Sequence, residues 1–136
     1  MGKNIFTLLF FSFLFSAQGP KDITGRWVVV NVEGPTGPTK LSAQRKADLD
    51  EALVNEFTDA VFDFRPDHHF YLTANIKTMP HHDFWVYNEA QGKIKIKEYN
   101  LNESLVMEII VIEKDSATFF KLTDSGAILK VNRKEK

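Results

Sequence analysis

The chain predicts an all-β fold, an eight-strand antiparallel up-and-down barrel with one helix between its first and second strands. Three observations carry this. From Asp59 to Val131 apolar and polar residues alternate with a period of two in short runs bounded by turn residues. The connections between most runs are too short for anything but antiparallel neighbours. One segment alone, Leu41 to Phe57, shifts to a helical period. Eight short strands with apolar inner faces close on themselves and so remove both sheet edges.

Taken in order, the chain starts with a short basic stretch at Met1–Asn4 and an apolar and hydroxyl-bearing run, Ile5 to Phe15. That run has the length of a signal-peptide core, about 7–15 residues, and falls short of the ~20 needed to span a bilayer. Ser16 and Ala17 supply small residues, so a signal peptide over 1–17 with cleavage after Ala17 is expected, leaving 18–136 as one domain. The expected destination is secreted or periplasmic, by Gram-negative-type export. The mature chain is expected to have no membrane span. The sequence contains no cysteine, so its core must hold it without disulfides.

The first strand runs from Trp27 to Val32, entered through Gly25 and ended by the turn-forming residues from Gly34 to Pro38. The helix follows. Ala43, Ala47, Leu49, Leu53, Val54 and Phe57 share one side, and Pro38, Thr39 or Ser42 start it. Ala60, Phe62 and Phe64 face inward from the second strand, and Phe70, Leu72, Ala74 and Ile76 from the third, with Arg65–His68 as the turn between them. The fourth strand is Phe84–Asn88 and the fifth Lys93–Lys97, where Ile94 and Ile96 alternate with three lysines. Ser104–Glu113, Ala117–Leu122 and Ala127–Val131 complete the set, and Asn132–Lys136 reads as a solvated tail. In the sixth strand Leu105, Met107, Ile109 and Val111 are expected inside, which leaves Val106, Ile110 and Ile112 outside around Glu108.

An export signal, Gly25-x-Trp27 in the first strand, the Phe64-Arg-Pro-Asp67 turn, a tryptophan in the fourth strand and the Asn88–Gly92 turn together resemble the short lipocalin-like domains of exported bacterial proteins. The resemblance implies a calycin-type barrel with a hydrophobic ligand in its calyx and with Gly25 and Trp27 closing the barrel floor. The helix between the first two strands is similar to the fatty-acid-binding branch of the calycins, where a helical lid occupies that connection.

The charge balance, 17 Lys and Arg against 18 Asp and Glu, has no long run of either sign and points away from nucleic acid. His68–His69 and His81–His82 resemble a metal site at first sight. In an alternating meander the two pairs fall at opposite barrel ends, roughly 17–23 Å apart, so they share no ion. No metal and no cofactor is expected. No Ser-His-acid arrangement or glycine-rich phosphate loop stands out, so no catalytic role is expected either.

Two functional readings remain. In the first, the barrel binds or carries a small hydrophobic molecule beneath a lid formed by the helix and the His81–Asp83 connection, with Asn31, Leu53, Phe57, Tyr87 and Met107 as ligand-binding residues. In the second, the interior is filled by its own aromatics, and the protein acts through the apolar outward face of the sixth strand as an interaction or structural module, as a homodimer or with a protein partner.

Overall fold

In the computed structural model, residues 20–35, 41–74, 83–100 and 102–135 are described. The expected export signal, Pro38 and Thr39 of the helix approach, Ile76, and His81 and His82 lie outside them. The strands are β1 (Gly25–Glu33), β2 (Val61–Phe64), β3 (His69–Thr73), β4 (Asp83–Asn88), β5 (Lys93–Glu98), β6 (Leu105–Lys114), β7 (Ala117–Leu122) and β8 (Ile128–Glu135). The helix α1 spans Ala43–Phe57. Each strand pairs antiparallel with the next, and β8 returns to β1, closing the barrel in sequence order. The predicted architecture is therefore the observed one.

Closure depends on the end of the chain. Asn132, Arg133 and Glu135 pair with Val28, Trp27 and Arg26, so the segment expected to be a solvated tail is strand. The reason is geometric: the last strand must reach the start of the first to satisfy its backbone groups. Arg133 then lies over the Trp27 ring, 4.4 Å from its centroid, a cation–π contact.

The interior is filled by side chains. Phe62, Phe64, Phe70 and Phe120 are buried with Ile94, Ile96, Ile109, Val111 and Leu129. Their rings form a connected set: Phe62 meets Phe120 edge to face at 5.5 Å, and Phe64 meets Phe70 at 5.2 Å and Trp85 at 5.9 Å. These are favourable aromatic separations, and at eight strands such residues suffice to plug the lumen.

Of the three register shifts in the described pairings, at Arg26/Trp27, Val29/Asn31 and Ile96/Lys97, the last two redirect the inward pattern. In β1 the register with β8 shifts between Val29 and Asn31, so Val30 and Asn31 both face solvent and Val32 turns to the core. In β6 the register with β5 shifts between Ile96 and Lys97. Val106 and Met107 then both pack against the core, while Leu105, expected inside, is 56% exposed. The apolar outer stripe of β6 thus shortens to Ile110 and Ile112, both half-buried; Phe119 lies beside Ile112 in the register.

The helix also differs in its contacts. Ser42 caps it, its hydroxyl accepting from Arg45 N at 3.2 Å. Leu53 and Phe57 are buried and Leu49 is half-buried, but Ala43, Ala47 and Val54 are exposed. The 49–53–57 row packs on the core, because a helix lying on a barrel end rests on it along one ridge. Gly34 permits the approach: a Cβ there would fall 1.7 Å from Asp50 Oδ1, and Asp50 is held by Lys46 at 2.8 Å.

The strands are staggered where β3 meets β4. Their described pairing covers His69↔Phe84 and Phe70↔Asp83, whereas β4 and β5 pair from Asp83↔Glu98 to Asn88↔Lys93. His69 at the start of β3 is therefore level with Phe84 and with Lys97 near the end of β5. The barrel wall steps at this seam.

Candidate functional site

At the floor, Gly25 has φ 123°, a conformation that favours glycine, and sends β1 upward directly beneath Trp27. Trp27 is 4% exposed, and its Nε1 donates to Ile23 O at 2.9 Å. The residues before β1 complete the closure. Ile23 is 1% exposed, the Tyr87 hydroxyl donates to Pro20 O, and an Arg133 Nη donates to Asp22 O. Gly25 and Trp27 thus occupy the floor end of the barrel, and the strap at 20–24 closes it with them. Periodicity does not reveal the strap, since an isolated Ile23 between polar residues carries no periodic signal.

At the opposite end, α1 covers a cavity of about 210 Å³ lined by Leu53, Glu56, Phe57, Leu72, Val106, Met107, Leu122, Asp124 and Ser125. Leu53 and Phe57 supply the roof, and Leu72, Val106, Met107 and Leu122 the walls. Glu56, Asp124 and Ser125 form a polar rim, where Asp124 Oδ1 accepts from Ser125 N at 2.7 Å. Below the cavity, Phe57 stacks on Phe62 at 6.4 Å, so the filled interior begins immediately.

The structure brings together three of the five expected ligand-binding residues: Leu53, Phe57 and Met107. Asn31 is exposed, a correction of its expected inward placement that follows from the β1 bulge. Tyr87 is at the floor, hydrogen-bonded to Pro20, and so on the end away from α1. Its phenol pKa is pushed up from 10.0 to about 12, first by burial and then by the charges of Glu89 and Glu113. Val106 escapes the sequence reading because strict alternation puts it outside.

The described histidines serve packing and the outer wall. His68 packs at a tilt against Trp85 with ring centroids 4.6 Å apart, and Trp85 Nε1 donates to Arg65 O at 3.0 Å, pinning the β2–β3 turn. Asp83 is the buried charged side chain among the described residues, at the head of β4 opposite Glu98. Among the described residues no group of three or more His, Cys, Asp or Glu could hold a metal ion, and no helix is long and apolar enough to cross a membrane.

Comparison of the chain with protein-family models, with curated proteins and with solved structures finds no match.

Proposed function

We propose that this chain is an exported, lipocalin-like binding protein that holds a small apolar molecule in the helix-capped cavity at the barrel mouth, with no chemical step performed on it. The observation that carries the reading is the cavity itself, apolar on roof and walls and about 210 Å³ in volume. An apolar cavity of about 150 Å³ is enough to take up benzene, whereas drug-sized ligands use roughly 300–1,000 Å³. The ligand is therefore a single ring or a short chain. A long acyl chain is disfavoured because Phe62 and Phe120 already occupy the lumen beneath. A carboxylate head group is disfavoured by Glu56 and Asp124 at the rim.

Amide NMR titration of the protein with benzene and with indole tests this. Binding should move the resonances of Leu53, Phe57 and Met107, and Leu53→Asp with Phe57→Asp should abolish those shifts. A wild type that responds to neither probe removes the carrier reading.

The alternative, a filled barrel acting through its outer surface, draws on the apolar groups of the β4–β6 wall. Val86 on β4 is 46% exposed and Leu105 on β6 is 56% exposed, with Ile110 and Ile112 half-buried and the lysines of β5 standing between the two strands. A concentration-dependent dimer or complex lost in Ile110→Lys, with no probe binding at the mouth, would favour it.

A further inference from the structure

The step in the barrel wall creates a second concave surface, on the outside and remote from α1. We propose that this cleft binds a neutral saccharide ring, with Tyr99 as the stacking platform and Asp67 and Glu103 as acceptors for the ring hydroxyls. It shares no lining residue with the mouth cavity, so the two proposals stand or fall separately.

The stagger at β3–β4 is what assembles the cleft. Strict alternation of connections would put the β2–β3 turn and the β5–β6 loop at opposite ends of the barrel. With His69, Phe84 and Lys97 level across the wall, Asp67 and His68 from the turn and His69 at the start of β3 instead meet Tyr99, Asn100 and Glu103 from the loop. Together with Phe84 these residues line a cleft of about 530 Å³, within the usual range for small-molecule sites.

Tyr99 is 69% exposed, unusual for a large ring held by neighbours on two sides. Phe84 meets it nearly perpendicular at 5.6 Å and His69 is 6.2 Å away. These contacts fix the ring while leaving most of its surface uncovered. The loop behind it is braced, since Asn100 Nδ2 donates to Glu98 Oε2 at 2.6 Å and Asn100 Oδ1 accepts from Asn102 N at 3.0 Å. Asp67 Oδ1 accepts from His69 N at 3.1 Å, and a carboxylate retains acceptor capacity beyond one such bond.

The chemistry selects among ligand classes. A saccharide ring has an apolar C–H face that lies on an aromatic ring and a hydroxyl rim that donates to carboxylates. Anions are opposed by Asp67 and Glu103. A quaternary ammonium ion is held best by a cage of several ring faces, but the perpendicular packing of Phe84 and Tyr99 directs an edge of one ring at the other's face. One open platform with acceptors beside it fits a sugar.

The experiment is saturation-transfer NMR of the protein with a panel of neutral trisaccharides in gluco, galacto, manno and N-acetylglucosamine configurations, and with tetramethylammonium as the cationic probe. At least one trisaccharide should bind at millimolar concentration. Tyr99→Ala should weaken that binding about tenfold or more, with an unchanged melting temperature because the ring is exposed, and Tyr99→Phe should restore it. The proposal is overturned if no trisaccharide binds, if Tyr99→Ala binds equally well, or if tetramethylammonium alone binds and depends on Tyr99.

Discussion

At the floor of the barrel, a short strap of chain carries Ile23 under Trp27 and is tied by hydrogen bonds to Trp27, Tyr87 and Arg133. At the mouth, a fifteen-residue helix lies over the opening on one row of side chains and leaves a cavity of about 210 Å³ beneath it. Among the described residues the floor is packed and the mouth holds a cavity. The difference is one of stiffness. An extended strap adjusts residue by residue to the surface below, whereas a helix about 10 Å wide bridges a concave rim and cannot sink into it. A barrel with a packed lumen can thus keep a site only where its cover is rigid.

Paired truncations test the contrast with the largest expected effect. Trp27→Ala should cost about 3–5 kcal/mol in a denaturant melt, because the floor is tightly packed and cannot collapse around the loss. Leu53→Ala, at the edge of existing space, should fall at the low end for its type, about 2 kcal/mol. Equal costs would show the two ends to be packed alike, and a loss under about 1 kcal/mol for Trp27→Ala would remove the floor assignment.

A smaller effect is expected at Tyr87, which belongs to the floor. Tyr87→Phe removes the hydrogen bond to Pro20 O and should cost about 1 kcal/mol at neutral pH. Its phenol titrates near 12 when folded, against 10.0 ordinarily, so on raising the pH the unfolded chain loses this proton first. The stability it contributes is fully present below pH 10 and is lost as the pH climbs toward about 12. The phenylalanine variant should lack that part of the alkaline decline, as melts across this window would reveal. An identical decline in both proteins would argue against the burial of the Tyr87 phenol beside Glu89 and Glu113.

The smallest effects test the bulges. Asn31→Ala and Leu105→Ser should change stability by no more than about 0.5 kcal/mol, while Val106→Ser, beside the mouth cavity, should cost about 1 kcal/mol. The reverse order for Leu105 and Val106 would restore strict alternation in β6 and move the cavity wall.

The all-β class, the strand order and the helix between the first two strands were legible in the sequence, because these rest on local periodicity and turn chemistry, whereas the choice of Ser42 over Thr39 as the cap came from the structure. Gly25-x-Trp27 marked the floor, and Leu53, Phe57 and Met107 marked the mouth, since their inward direction follows from the period alone. The rest depends on contacts between residues far apart in the chain. A bulge adds one unpaired residue and reverses the facing of the residues beyond it, which is why Asn31 and Leu105 point out and Val106 points in. The stagger at β3–β4 depends on pairing between distant residues, and it sets the β2–β3 turn beside Tyr99. Tyr87 lies at the floor because it adjoins the β4–β5 turn, and what no local pattern encodes is its bond to Pro20, 67 residues away in the chain.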